Sequence, residues 1–337
     1  MYQATVPING VPTEVISYGR WIEEGISTTG RQDVVIVITG NPGVPSFYKE
    51  FAAQIQKSLP TEVPVWIIGH TGHTKPPSHL PNSLPDPKTS RHLYDLDGNI
   101  KHKQEFIKKY VPTNARIHLV AHSIGSWFVL NLLKDKEISE KVVKCYLLFP
   151  TIERMAESPM GKIVINIVSK WNNLIKISTY KQFNRLVFLF QTLRIAKLLM
   201  FLAWIFTLFP HIFQIFLVRI FGIFYGIPSN CVSPIVQMIH PFSLHQIFSL
   251  AKQEMIHVKE LDNDVITQHK KKLYLYYGSK DGWTPIRYYD DLKARHPDID
   301  AHLCKRGFQH SFVLSDSIEM GKMIGDLINE SISSGSN

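Results

Sequence analysis

The feature that most restricts the fold of this chain is a repeated alternation of short apolar strands with helical segments. Val34–Thr39 reads VVIVIT, an unbroken run that is typical of a strand buried on both faces. Further strands are predicted at Val63–Ile68, Ile117–Ala121, Val143–Phe149, Lys272–Tyr277 and His302–Lys305. Helices are predicted at about 46–58, 98–110, 123–134, 285–295 and 317–331. This order predicts an α/β fold with a mostly parallel, doubly wound sheet.

Two shorter strands open the chain, and a long interruption divides the pattern. Residues 5–10 and 13–18 are joined at Asn9-Gly10, a strong hairpin signal. After Phe149 the alternation stops, and it resumes only at Lys272. We therefore expect a core formed by residues 1–150 and 263–333. Residues 151–262 would form an inserted cap, which is most apolar at about 185–226.

The insert carries the whole charge excess of the chain. No Asp or Glu occurs between Glu157 and Glu254, whereas nine Lys and Arg residues do, which equals the formal net charge of +9. These basic residues are interleaved with Phe, Leu, Ile and Trp, and no nucleic-acid-binding motif accompanies them. A basic, apolar and acid-free segment favours a membrane or lipid surface as partner over nucleic acid.

The most apolar stretch of the insert is residues 198–218, which are 21 uncharged residues. Its length could span a bilayer, but a single span would leave the two halves of one sheet on opposite sides. Pro210 also interrupts it, so a helical hairpin or an in-plane helix is favoured. The alternative is a hydrophobic lid over the site of a soluble enzyme. The basic residues expected to contact phosphate headgroups are Arg185, Arg194, Lys197 and Arg219.

The cysteine content and the N-terminus indicate a cytosol-facing protein. Cys145, Cys231 and Cys304 are few and odd in number, and they form neither a disulfide framework nor a metal-binding spacing. We expect no metal and no cofactor. The first residues lack the basic segment and the long apolar run of a secretory signal, so none is predicted.

Ser123 is the candidate nucleophile. It stands in Ala121-His122-Ser123-Ile124-Gly125, directly after a predicted strand and before a predicted helix. A nucleophile elbow needs this strand–turn–helix order, and it needs small residues two positions before and after the serine. Ala121 and Gly125 both qualify. The motif also occurs in structural turns, so other parts of the chain must decide its meaning.

The acid and base candidates both follow Ser123 in the chain. Asp281 lies in a loop after the strand that resumes the sheet, where catalytic groups of open α/β sheets collect. Its alternative role is a turn residue or a helix cap. His310 lies in the loop after the last strand, which gives the order serine, aspartate, histidine. Four competitors are set aside because of their positions: Asp262, Asp264, His122 and His302.

The oxyanion donors are expected at two backbone N–H groups. One is Ile124, which follows the serine, and the other belongs to the loop Gly40-Asn41-Pro42-Gly43 after the first parallel strand. Pro42 has no N–H, so Asn41 is the predicted donor. Gly40 and Gly43 would let the backbone approach the substrate closely. Together these residues predict acyl transfer through a covalent acyl-enzyme.

Five stretches of the chain together resemble the lipid droplet-associated hydrolase family of α/β-hydrolases. They are VIVITGNPGVPSFYKEF, VPVWIIGHTGH, LVAHSIGSWFVL, LLFPTIERMAESPMGK and LYYGSKDGWTP. The resemblance implies a triad at Ser123, Asp281 and His310. It also implies ester hydrolysis of sterol esters or other neutral lipids, and a location on lipid droplets and the cytosolic face of the endoplasmic reticulum. The family usually has glycine where this chain has Ala121.

Two other functions stay open at this point. The chain could be a lipid-droplet or endoplasmic-reticulum scaffold that keeps the fold with little turnover. It could also be a soluble thioesterase or peptidase whose apolar insert is a lid.

Overall fold

A computed structural model describes residues 1–27, 32–75, 84–170 and 198–334. Eight strands form one sheet: β1 (Tyr2–Ile8), β2 (Val11–Tyr18), β3 (Asp33–Ile38), β4 (Val65–Ile68), β5 (Arg116–His122), β6 (Val142–Leu148), β7 (Leu273–Tyr277) and β8 (Asp300–Leu303). The described helices before the insert are α1 (Lys49–Ser58), α2 (Leu96–Tyr110), α3 (Ile124–Leu132) and α4 (Lys136–Lys141). Those between β6 and β7 are α5 (Pro159–Lys170), α6 (198–207), α7 (His211–Tyr225), α8 (Val232–Met238), α9 (Pro241–His257) and α10 (Asn263–His269). The last three are α11 (Ile286–Arg295), α12 (Phe312–Ser315) and α13 (Ser317–Ser334).

The sheet has the order β1-β2-β4-β3-β5-β6-β7-β8. The first two strands are antiparallel to their neighbours, and β4, β3, β5, β6, β7 and β8 pair in parallel. Register places Ile38 beside Ala121 and His122 beside Leu148, so the carboxyl ends of β3, β5 and β6 lie at one edge. The α/β fold predicted from the sequence is confirmed, including the hairpin turn at Asn9-Gly10.

Apolar side chains cover both faces of the sheet. On one face α1, α12 and α13 enclose a core that includes Phe51, Phe312 and Ile328. On the other face α2, α3, α9, α10 and α11 contribute to a second core that includes Phe106 and Phe128. Burial on both faces explains why β3 is continuously apolar. It also holds the carboxyl edge of the sheet between two packed layers.

The segment between β6 and β7, which we call the insert, contains two helices with unusually exposed apolar side chains. Helices α6 and α7 are separated at Phe209-Pro210, where the sequence predicted an interruption. We call these two helices the apolar pair. Within the described ranges, no helix is both long and apolar enough to cross a membrane. The exposed large apolar residues include Phe201, Trp204, Leu208, Ile212, Phe216, Phe221, Ile223, Phe224 and Tyr225.

Candidate active site

Ser123 lies on a sharp turn between β5 and α3. Its backbone has φ 53° and ψ −124°, a conformation that residues other than glycine rarely adopt. The Ser123 N–H donates to the Leu148 carbonyl over 3.0 Å, and the Ser123 carbonyl accepts the N–H of Ser126 over 2.9 Å. The turn therefore holds the side chain at the carboxyl edge of the sheet and at the N-terminus of α3.

The residues two positions from Ser123 differ in how much space they have. A Cβ at Gly125 would lie 2.7 Å from the carbonyl oxygens of Ile38 and Thr39, so only glycine fits without a backbone shift. Ala121 is fully buried in β5 opposite Ile38. The turn forms with alanine at position 121, and the unusual φ falls on Ser123 itself.

The structure brings the three predicted triad side chains together. His310 Nε2 lies 3.0 Å from Ser123 Oγ, and His310 Nδ1 lies 2.7 Å from Asp281 Oδ2. Because a carboxylate can only accept, Nδ1 carries the proton and Nε2 is free to accept the serine hydroxyl. The Asp281 side chain is completely buried, whereas the His310 side chain is 19% exposed. The imidazole thus stands between a buried carboxylate and a hydroxyl near the surface.

Four hydrogen bonds fix the Asp281 carboxylate. Oδ1 accepts the N–H groups of Trp283 (2.7 Å) and Thr284 (3.2 Å), and Oδ2 accepts the Thr284 hydroxyl (2.7 Å) and His310. Burial acts to raise the pKa of Asp281. The hydrogen bond and charge of His310, followed by the bonds from residues 283 and 284, outweigh burial and lower that pKa. Asp281 therefore stays ionised near neutral pH.

The loop after β3 lies directly against the serine turn. A Cβ at Gly40 would come within 3.0 Å of the Ser123 Cβ, so the loop approaches this closely only with glycine there. The Asn41 backbone N–H donates to no acceptor among the described residues. Ile124 is the first residue of α3, so its N–H lacks an acceptor within the helix. These are the two N–H groups that the sequence predicts as oxyanion donors.

The side chain of Asn41 contacts the insert rather than the serine. Asn41 Nδ2 donates to Glu254 Oε1 (2.8 Å) and to the Ile247 carbonyl (3.2 Å), both on α9. Burial raises the pKa of Glu254 to about 7, and the bond from Asn41 opposes that rise. No pattern in the sequence indicates this contact, because the two residues are 213 positions apart.

A buried polar cluster supports the same loop from the other side. The Gly43 N–H donates to His73 Nδ1 over 2.8 Å, and a Cβ at Gly43 would overlap the His70 ring. Lys103 Nζ donates to the Gly69 carbonyl and to Asn99 Oδ1, each over 2.9 Å. Burial lowers the pKa of Lys103 well below its usual range. The histidines quoted above in GHTGH therefore hold the loop in place.

His122 and Tyr48 also contact the site, and the sequence did not predict a role there for either residue. The His122 ring does not bond to Ser123; its two nitrogens contact the Tyr48 hydroxyl and the His310 carbonyl. The adjacency of His122 to Ser123 was the one available signal. Its partners come from distant parts of the chain.

Of the four basic residues predicted to contact headgroups, the structure describes one. Arg219 is exposed on α7, among the apolar side chains. Arg185, Arg194 and Lys197 lie outside the described residues. Within the described part of the chain, no group of three or more His, Cys, Asp or Glu side chains could hold a metal ion. The three cysteines are buried and free.

The sheet order and the strand–serine–helix turn define an α/β-hydrolase. In agreement with this class, a solved esterase from Thermogutta terrifontis superposes with a TM-score of 0.56 at 11% identity. The match covers 98% of this chain and 99% of that structure, and at such identity it shows the fold alone.

Sequence comparison identifies the family. A family model described as lipid-droplet associated hydrolase matches residues 31–313. A lipid droplet-associated hydrolase of Drosophila melanogaster is 38% identical over 330 residues, covering 98% of this chain and 99% of its own. One of Mus musculus is 30% identical over 328 residues, with 95% and 92% covered. The chain belongs to the lipid-droplet associated hydrolase family.

Proposed function

We propose that this protein is a serine ester hydrolase that acts on lipid esters. One observation carries the proposal: a single imidazole, that of His310, contacts Ser123 Oγ at 3.0 Å and a buried Asp281 carboxylate at 2.7 Å. The strained backbone of Ser123 presents its hydroxyl to that imidazole. A serine, a base and an orienting acid in this order are the parts that acyl transfer requires.

The reaction would proceed through an acyl-enzyme. His310 takes the proton of Ser123 as Oγ attacks the acyl carbonyl, and the N–H groups of Asn41 and Ile124 stabilise the resulting oxyanion. His310 then gives the proton to the leaving alcohol. In the second half, His310 takes a proton from water, which attacks the acyl-enzyme, and returns it to Oγ as the acid leaves. Asp281 stays ionised throughout and stabilises the protonated imidazole.

The apolar pair supports a lipid as the substrate and a lipid surface as the place of action. Its large exposed side chains are aromatic or aliphatic except for Arg219, which is the only charged residue of α7. The free energy falls when such a surface enters the acyl region below the lipid headgroups, because its apolar side chains leave water. The curated relatives are named for lipid droplets, whose surface offers such headgroups and acyl chains. We propose docking on droplets and on the cytosolic face of the endoplasmic reticulum, with sterol esters or other neutral lipids as substrates.

A fluorophosphonate probe and a lipid-ester panel test the proposal. Wild type should be labelled and should release acid from sterol and glycerol esters, and Ser123→Ala should lose both. Ser126→Ala is the matched control, because its buried hydroxyl makes only a long 3.5 Å bond to the Ala121 carbonyl. A folded wild type that neither labels nor hydrolyses any ester would support the scaffold instead. A preference for water-soluble thioesters or peptides over lipid esters would support the soluble enzyme with a lid.

A further inference from the structure

A chain of three hydrogen bonds connects the loop after β3 with the loop that carries His310. The Gly40 N–H donates to the Tyr48 hydroxyl oxygen over 2.7 Å. That hydroxyl lies 2.7 Å from His122 Nδ1. His122 Nε2 lies 2.8 Å from the carbonyl oxygen of His310. The chain therefore begins one residue before the proposed oxyanion donor Asn41 and ends on the backbone of the proposed base.

The chemistry of the groups fixes the direction of every bond. A carbonyl oxygen only accepts, so His122 Nε2 carries the hydrogen and Nδ1 is left as an acceptor. The Tyr48 O–H must therefore donate to Nδ1, which leaves its oxygen free to accept the Gly40 N–H. Burial, followed by the charge of His310, lowers the pKa of His122 to about 3. Burial also raises the pKa of Tyr48. Both side chains are therefore neutral near neutral pH, and no other placement of their hydrogens satisfies all three hydrogen bonds.

The two rings of this chain have little room to move. His122 lies edge-on to Phe312, with ring centroids 4.9 Å apart, and edge-on to Phe149 at 6.3 Å. Its ring is also 5.2 Å from that of His310. Tyr48 directly precedes α1, and its side chain is buried in the core that α1, α12 and α13 enclose. Aromatic packing on several sides means that neither ring can follow a shift of its partner without losing contacts.

We propose that Tyr48 and His122 are positioning residues, which hold the base loop at His310 and the oxyanion loop at Gly40 in one fixed register around Ser123. This inference rests on the serine-hydrolase function proposed above. Neither residue would touch the substrate. Asp281 orients the imidazole of His310 but not its backbone, and the bond from His122 supplies that restraint. The bond from Gly40 to Tyr48 does the same for the loop that presents the Asn41 N–H.

Two amide substitutions at position 122 test the two hydrogen bonds of His122 one at a time. In His122→Gln the terminal amide nitrogen can occupy the place of Nε2 and donate to the His310 carbonyl, but the acceptor for Tyr48 is lost. In His122→Asn the amide oxygen can accept from Tyr48, but the donor to His310 is lost. Tyr48→Phe removes both bonds of the hydroxyl. Tyr146→Phe is the matched control, because that tyrosine is equally buried and its hydroxyl donates to the Leu327 carbonyl on α13.

Steady-state kinetics on a lipid ester give the first result. Tyr48→Phe and His122→Asn should each lower kcat about 10-fold to 100-fold with KM nearly unchanged, since a misplacement of roughly 1 Å has this effect. His122→Gln should lose less than His122→Asn. The double variant Tyr48→Phe/His122→Asn should lose less than the product of the single losses, because both break one chain. Tyr146→Phe should keep kcat while its Tm falls about as much as that of Tyr48→Phe. Wild-type kcat in both Tyr48→Phe and His122→Asn would overturn the proposal, as would an equal loss in Tyr146→Phe.

A measurement without turnover separates failure of this inference from failure of the enzyme function. In wild type labelled with 15N-histidine, His122 should show the neutral tautomer with hydrogen on Nε2 from about pH 5 to about pH 8. In Tyr48→Phe the Nδ1 shift of His122 should change because its hydrogen-bond donor is gone. A protonated His122, or a neutral His122 with its hydrogen on Nδ1, would overturn the proposed chain of hydrogen bonds, whether or not the protein hydrolyses esters. The expected tautomer in a wild type that neither labels nor hydrolyses overturns the serine-hydrolase function, and with it the positioning role.

Discussion

Asn41 Nδ2 donates to Glu254 Oε1 over 2.8 Å, so the loop beside Ser123 is bonded to helix α9 of the insert. Glu254 is also the first acidic residue after an acid-free interval that begins at Glu157. It lies in a fully buried place, and Asn41 Oδ1 next to it has no hydrogen-bond partner among the described residues. A protonated Glu254 could donate to that oxygen and complete a reciprocal acid–amide pair.

Glu254 should make the protein less stable as the pH rises. Its folded pKa of about 7 lies above the ordinary value of 4.5, so the unfolded chain gives up this proton first. The free energy of unfolding should therefore fall by about 3 kcal/mol in all as the pH rises from about 4.5 to about 7, and it should level off at higher pH. Urea unfolding at about pH 5 and about pH 8 should show this slope in wild type and a shallower one in Glu254→Gln. Glu319→Gln, on the exposed side of α13, should keep the wild-type slope. Equal slopes in wild type and Glu254→Gln would contradict the prediction.

Asp281→Asn should remove most of the activity. An amide in this place can donate to His310 Nδ1, which would move the ring hydrogen to Nε2 and leave no acceptor for the Ser123 hydroxyl. We expect kcat to fall about 10³-fold to 10⁴-fold, and labelling by a fluorophosphonate to slow in parallel. Thr284→Val removes one of the four bonds to the carboxylate and should cost far less. Equal losses in the two variants would mean that Asp281 acts only as a structural residue.

The lowered pKa of Asp281 has its own effect on stability. Because the carboxyl ionises more readily in the folded protein, it stabilises the fold above its unfolded pKa of about 3.8. That contribution disappears as the pH falls through the lower, folded value. As the pH falls through this window, wild type should therefore lose more free energy of unfolding than Asp281→Asn. Urea unfolding followed by circular dichroism should show a steeper acid limb for wild type and a flatter one for Asp281→Asn. An unchanged acid limb in Asp281→Asn would contradict this.

Gly125 and Ala121 should differ in how much stability the fold loses when one methyl group is added or removed. Gly125→Ala places a Cβ 2.7 Å from two backbone carbonyl oxygens, which cannot move far, and should destabilise the fold by about 1–3 kcal/mol. Ala121→Gly removes one buried methyl group and should cost only about 0.5–1 kcal/mol, through backbone entropy. Urea unfolding measures both. A Gly125→Ala variant as stable as Ala121→Gly would show that the serine turn is less confined than its contacts indicate.

The apolar pair should govern binding to lipid but not the chemistry. Ile212, Phe216 and Phe224 are more than half exposed, and each contributes about 1.5–3 kcal/mol when buried in an apolar phase. Replacing all three by Gln should weaken binding to phospholipid-coated triolein droplets at least about 100-fold. Hydrolysis of a short, water-soluble ester should be unchanged.

The control for this prediction is a variant outside the insert. Ile286→Gln/Ile318→Gln removes two exposed apolar side chains from α11 and α13. It should bind droplets as wild type does. Loss of binding in this control, or retained binding in the triple variant, would show that another surface docks on lipid.

Local patterns in the sequence were sufficient to predict the sheet and to select Ser123, Asp281 and His310, whose side chains lie together. Runs such as Val34–Thr39 and the turn at Asn9-Gly10 predict structure from neighbouring residues alone. Element ends were less certain: residues 45–48 form a 3-10 turn before α1, and β8 ends at Leu303 rather than Lys305. Hydrogen bonding and packing between distant elements decide such boundaries.

The contacts that support the site could not be predicted. His122 meets Tyr48 across 74 residues and His310 across 188, and Asn41 meets Glu254 across 213. None of these pairs leaves a periodic or spaced pattern in the sequence, because each depends on how the loops and α9 pack. A histidine beside a serine, or a glutamate at the end of a basic segment, has no particular partner until the fold supplies one.

Ser123 lies at the end of β5, and β5 lies between β3 and β6 in the interior of the eight-stranded sheet. The strained turn therefore cannot relax by fraying, as a turn at the edge of the sheet could. Its relaxation requires both central ladders to open, and these belong to the most protected cooperative unit of such a fold. We therefore expect the serine turn and the sheet to be lost in one event on heating. Helices α6 and α7 contribute to a small cluster separate from the two cores, so they should melt first and leave that turn intact.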